Sequence, residues 1–206
     1  MFYLLLKILF APLVMLIWIK KVEGLENVPK KGAYIIAANH CSYFDFFTLA
    51  AVWPRRIYFL AGEIFFKKWW WYPLVKFTRQ IKVDREAKDK TEANQKILSV
   101  LNAGGIIGIF PEGTRSSDGK IGRTFTGTAR FALEAKVPVI PVGIKGSYEI
   151  MSRHDKTPKF KKNIEIKVGS PMYFEEYYEK SDGENVLREV TDKIMEKIKI
   201  LTNSTT

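Results

Sequence analysis

Ala33-Tyr34-Ile35-Ile36-Ala37-Ala38-Asn39-His40-Cys41-Ser42-Tyr43-Phe44-Asp45 holds a strand, a polar turn and the start of a helix in one short stretch. The apolar run Tyr34–Ala38 predicts a buried strand, and Phe44–Val52 predicts a helix. The polar residues Asn39 to Ser42 supply the turn between them. That turn also carries chemistry. His40 and Asp45 stand five residues apart, and a histidine oriented by a carboxylate can take a proton from an alcohol. On an unbroken helix five steps of about 100° would set the two side chains about 140° apart. The dyad therefore requires the chain to turn before the helix begins.

Outward from this unit the pattern repeats. Strand-like runs at 57–61, 80–83, 106–110, 139–144 and 163–168 alternate with helical segments at 87–102, 128–135 and 184–201. Such alternation predicts an α/β fold: a single domain with a largely parallel or mixed sheet flanked by helices. The segment 63–77 interleaves aromatic rings with lysines around Trp69, Trp70 and Trp71. Three consecutive tryptophans cannot all face one core, so at least one is expected to face lipid or substrate.

A second constellation, Phe110-Pro111-Glu112-Gly113-Thr114-Arg115-Ser116, follows the apolar run that ends at Ile109. It places backbone N–H groups, an arginine fork and hydroxyls at the end of a strand, an arrangement suited to an anion. Read alone it is also an ordinary surface turn. In open α/β sheets ligands gather at the carboxyl ends of strands. His40, Arg85 and the 112–115 turn each follow a strand, so all three can converge.

Together these blocks resemble the glycerolipid acyltransferase family, among them the bacterial 1-acylglycerol-3-phosphate acyltransferases. Its His-x4-Asp block is matched by His40 and Asp45, its Asp-Arg block by Asp84-Arg85, its third block by Phe110 to Ser116, and its Val-Pro-Val-Ile-Pro-Val block by Val137 to Val142. The resemblance implies acyl transfer from a thioester, on coenzyme A or acyl carrier protein, to the sn-2 hydroxyl of lysophosphatidic acid, giving phosphatidic acid with no further cofactor. It casts His40 as general base and Asp45 as the group that fixes its tautomer. Arg115 and the Gly113 and Thr114 backbone would hold the acceptor phosphate, with Arg85 as a second cation. Glu112 would belong to the acceptor-binding block, positioning an arginine or a glycerol hydroxyl. Two positions depart from the pattern. No glycine stands shortly before Asp84-Arg85, and Phe125 replaces a usual lysine, leaving Lys120 and Arg123 as the nearby cations. A same-family enzyme with another lysolipid or glycolipid acceptor thus stays open. So does a non-enzymatic basic membrane- or nucleic-acid-binding module.

Composition narrows the class. The 206 residues include one cysteine, which excludes an internal disulfide, and two histidines with no Cys/His cluster, which disfavours a metal centre. A net charge of +11 calls for an anionic partner, nucleic acid or a membrane surface. The N-terminus favours the membrane over nucleic acid. Residues 1–19 are apolar apart from Lys7, contain Pro12, and are followed by Lys20 and Lys21. At about 28 Å the segment would just span a bilayer, but Lys7 and Pro12 favour a helix lying in the interface. The expected layout is a membrane-associated hydrophobic helix at 1–21, then a catalytic domain at 22–206. The cell membrane is the expected location, with monotopic or peripheral attachment and the domain facing the cytoplasm.

Overall fold

Apolar runs with β-branched residues form strands because such side chains pack well on a pleated surface, and runs buried on both faces need no alternation. The computed structural model describes residues 2–69, 72–84, 89–180 and 183–203. Among the described residues the strands are β1 (Ile19–Glu23), β2 (Tyr34–Ala38), β3 (Ile57–Gly62), β4 (Ile81–Val83), β5 (Ile106–Ile109), β6 (Val139–Lys145) and β7 (Ile164–Val168). They form one sheet in the order β1-β7-β6-β2-β5-β3-β4. The run from β6 through β4 is parallel, while β7 lies antiparallel to β6 and carries β1 parallel to itself. The sheet is therefore mixed.

Its helices are α1 (Phe2–Ile17), α2 (Phe44–Val52), α3 (Ile64–Lys67), α4 (Tyr72–Phe77), α5 (Thr91–Asn102), α6 (Gly127–Glu134), α7 (Ser147–Ile150) and α8 (Glu184–Asn203). Strand β2 is buried along its whole length between β5 and β6. Its period-2 alternation divides the core in two. Ile35 and Ala37 meet Ile97 and Leu101 of α5, Ala129 and Ala132 of α6, and Val190, Ile194 and Ile198 of α8. Tyr34, Ile36 and Ala38 join the cluster that contains Phe44 and Leu49 of α2, Trp53 and Ile150. Full burial of each such isoleucine stabilises the fold by about 1.5–3 kcal/mol. The polar ends are matched too, since Trp53 Nε1 donates to the Tyr34 hydroxyl at 2.9 Å.

Three sequence expectations need correction. The division at 21/22 falls inside β1, where Ile19 is buried and pairs with Ile164 of β7. Lys20 and Lys21 resemble the interfacial end of an anchor, yet they are the outward side chains of an edge strand, Lys20 paired with Glu165 at 2.7 Å. Secondly, α1 does not stand apart from the domain. It packs along α2, Lys7 Nζ donates to the Trp53 carbonyl, and Trp18 lies 4.7 Å from the Phe44 ring. Thirdly, α5 begins at Thr91, whose N–H donates to Asp89 Oδ1 at 2.8 Å, so residues 89 and 90 precede the helix. Residues 87 and 88 lie outside the described residues. In the aromatic segment Trp69 is 80% exposed, whereas Trp70 and Trp71 lie outside the described residues. No described helix is long and apolar enough to cross a membrane.

Candidate active site

The turn after β2 is built by side chains that imitate backbone. Buried Asn39 accepts from the Ile144 N–H and donates to its carbonyl, both at 2.8 Å, adding one rung between β2 and β6. Beyond it the chain crosses the end of the sheet and enters α2. Asp45, fully buried in the first turn of α2, gathers this crossing around one oxygen. Its Oδ2 accepts the N–H groups of Cys41 and Ser42 and bonds His40 Nδ1, each at 2.8 Å. Residues 40–43 are thus wrapped over the helix start, which brings together two side chains that an unbroken helix would separate. A proton on Nδ1, assigned from this network, leaves Nε2 as the basic nitrogen. The ring is held in place by Phe110, stacked at 4.0 Å, and by Phe46, edge-on at 5.3 Å.

The second block grips the same histidine from the other side. β5 runs out into Phe110, and Gly113 takes φ +65° so that its N–H closes a turn on the Phe110 carbonyl at 2.9 Å. That N–H is therefore occupied, contrary to the expectation that it holds a phosphate; Thr114 is exposed. Glu112 is buried. Its Oε1 accepts the His40 N–H at 2.9 Å and its Oε2 the Gly122 N–H at 3.3 Å. The Ser116 N–H donates to the His40 carbonyl at 2.8 Å. The resemblance implies that Glu112 positions an arginine or a substrate hydroxyl; the partners it has among the described residues are backbone N–H groups, one of them that of His40. Burial pushes the Glu112 carboxyl up from 4.5, opposed by the two N–H donors. The Arg115 guanidinium lies 3.5 Å over the Tyr43 ring, and its Nη1 is buried with no hydrogen-bond partner among the described residues. Burial pushes its pKa down, and the positive charge of Arg153 nearby pushes the same way. Lys120 and Arg123 sit exposed on the loop leading to α6. Arg85 lies outside the described residues.

A model of the acyltransferase family matches residues 20–145, which carry the His40–Asp45 turn and the Glu112–Arg115 block. The chain belongs to the acyltransferase family. It is 28% identical over 186 residues to the 1-acyl-sn-glycerol-3-phosphate acyltransferase of Bacillus subtilis, covering 89% of this chain and 88% of that protein. A chloroplastic 1-acyl-sn-glycerol-3-phosphate acyltransferase of Brassica napus is 23% identical over 74% of this chain, which spans only 44% of that relative. The crystal structure of the 1-acyl-sn-glycerophosphate (LPA) acyltransferase PlsC from Thermotoga maritima superposes with a TM-score of 0.75. That match covers 100% of this chain and 89% of that one at 22% identity, a likeness of fold.

The acyltransferase has an apolar cavity of about 400 Å³. Its walls come from Phe10 and Val14 of α1, Phe47 and Ala50 of α2, Phe59 of β3 and Val75 of α4, and it reaches Tyr43 and Phe46. Those two rings touch Arg115 and His40 respectively, so the apolar space and the His40 site share wall residues. The linear pattern does not assemble it, because its walls come from five separate elements, α1, α2, α3, α4 and β3. The small residues Ala50, Ala51 and Ala61 are the local signal that space is left there. Cys41 is no nucleophile: it is buried, and burial with the neighbouring carboxylates pushes its thiol up to about 12. Among the described residues no group of three His, Cys, Asp or Glu side chains could hold a metal ion.

Proposed function

We propose that this acyltransferase transfers a fatty acyl chain from a thioester, on coenzyme A or acyl carrier protein, to the sn-2 hydroxyl of 1-acylglycerol 3-phosphate, giving phosphatidic acid. The observation that carries this reading is the buried His40–Asp45 pair, with an apolar cavity whose wall residue Phe46 packs on His40 and whose wall residue Tyr43 carries the stacked Arg115. In this scheme His40 Nε2 removes the proton from the acceptor hydroxyl as its oxygen attacks the thioester carbonyl. Asp45 keeps the other ring nitrogen protonated and stabilises the imidazolium that forms. Collapse of the tetrahedral adduct expels the thiolate, which takes the proton back from His40. A thioester is already activated, so no acyl-enzyme is required. The cavity accepts an acyl chain, at a volume within the usual range for ligand sites. Arg115 binds the acceptor phosphate by charge-assisted hydrogen bonds.

The enzyme works at a membrane surface, attached as a monotopic or peripheral protein with its site on the cytoplasmic side. Support comes from α1, which exposes Ile8, Leu9, Leu13 and Leu16 and bears no acidic residue, and from exposed Ile64, Trp69 and Phe77. Arg115→Ala is expected to raise KM for 1-acylglycerol 3-phosphate roughly ten- to a hundredfold, as loss of a charged hydrogen bond predicts, while KM for the thioester barely moves. The assay uses purified protein with lysolipids of several headgroups and both donor types. Equal loss toward both substrates, or faster turnover of an acceptor without phosphate, would reject the phosphate assignment.

A further inference from the structure

The rim between the catalytic turn and α1 carries an exposed ring and a run of cations that acyl transfer itself does not use. This segment, 151–163, starts at the site, where Ser42 Oγ donates to the Met151 carbonyl at 2.7 Å. It ends at the C-terminal end of α1, where the Asn163 N–H donates to the Trp18 carbonyl at 3.0 Å. Between them Trp18 Nε1 donates to the Lys159 carbonyl and the Lys159 N–H to the Ile150 carbonyl, both at 2.9 Å. The backbone is therefore tied down at both ends and in the middle, and what it displays is fixed by structure.

It displays Phe160, 79% exposed although one face stacks on Trp18 at 5.7 Å. Lys156, Lys159, Lys161 and Lys162 are exposed around it, and none forms an ion pair among the described residues. The acid of the segment, Asp155, is turned back onto the Ser152 N–H at 2.8 Å. Trp18, which holds the segment, directly follows α1, on which Leu13 and Leu16 are exposed. An aromatic ring beside an apolar helix face, ringed by unpaired lysines, matches the layering of a bilayer: acyl chains, then boundary, then anionic headgroups. An acidic protein would satisfy the lysines but would leave Phe160 and the α1 face without an apolar counterpart.

We propose that residues 151–163 are a second bilayer-contact element, Phe160 entering the boundary region and the four lysines resting on anionic headgroups. Because the segment joins the catalytic turn to α1, its contact sets the mouth of the site against the lipid surface. This rests on the membrane-surface reading above. The test compares the full chain, Phe160→Ala, and a variant with all four lysines changed to glutamine. Each is sedimented with phosphatidylcholine vesicles with and without phosphatidylglycerol, at low and high salt, and assayed on a short-chain soluble acceptor. Each lysine at an anionic surface contributes about fivefold to affinity, so the quadruple variant is expected to lose roughly six-hundredfold on phosphatidylglycerol vesicles at low salt. Phe160→Ala is expected to lose roughly tenfold at either salt. Turnover of the soluble acceptor stays at the wild-type level in both, which shows the fold and site intact. Unchanged vesicle affinity in both variants overturns the proposal. So does a lysine variant that binds vesicles normally but loses use of an acyl-carrier-protein thioester, an outcome that would make the rim a protein-docking surface. Failure of the proposed function reads differently, as a wild-type protein inactive on the soluble acceptor.

Discussion

His40 is held at Nδ1 by Asp45, at its N–H by Glu112, at its carbonyl by Ser116 and across its ring by Phe110, which leaves Nε2 open for chemistry. Glu112 is the least obvious member of this set and gives a direct test of it. Glutamine in its place keeps one acceptor oxygen for two N–H donors, so Glu112→Gln is expected to lower kcat well before it changes KM for either substrate. The same variant reports on pH. The carboxyl is raised by burial, so the native state holds its proton more tightly than the unfolded chain does. Its contribution to stability is present below the ordinary value of 4.5 and is lost as pH rises through the higher native value. Urea midpoints measured upward from pH 4.5 should fall less in Glu112→Gln than in wild type; parallel profiles would place the titration elsewhere. At this scale the dyad was legible because its two members share one short motif. The part played by Glu112 was not, because its partner atoms are backbone N–H groups brought to it by the neighbouring strand and loop.

β5 shows how an element serves the site without touching substrate. Gly108 faces Phe59 across the β3–β5 pairing, and a Cβ there would sit 2.5 Å from that ring. Phe59 in turn meets Phe46 at 5.0 Å, and Phe46 and Phe110 bracket His40. Gly108→Ala must therefore shift Phe59 and loosen the aromatic packing behind the histidine. Overpacking of this kind costs about 1–3 kcal/mol, read as a lower denaturation midpoint accompanied by reduced kcat. A wild-type midpoint would mean the ring has room to move. β2, α2 and the closing α8 were legible as apolar runs and stripes, since each buries a face against the sheet. β1 was hidden because an edge strand with outward Lys20 and Lys21 has the same composition as the end of a membrane helix.

The whole molecule joins a sheet-end site to an apolar surface through α1, which both walls the cavity and exposes leucines. Deleting residues 1–17 leaves β1 in place but removes Phe10 and Val14 from the cavity wall. That truncation is expected to weaken sedimentation with anionic vesicles and to slow long-chain acyl donors more than short ones. Equal rates for both donor lengths would detach α1 from the cavity's function. The positive charge already pointed to an anionic partner at the level of composition. The apolar cavity, by contrast, existed only once five elements had packed. Incubation of purified protein with a fatty acyl thioester and 1-acylglycerol 3-phosphate, with phosphatidic acid quantified, tests the central claim most directly. Wild type is expected to form phosphatidic acid, and His40→Ala, still folded by circular dichroism, to form it about 10²–10⁴-fold more slowly. A wild-type protein that forms none with either thioester, or a His40→Ala variant that keeps more than half the rate, would contradict it.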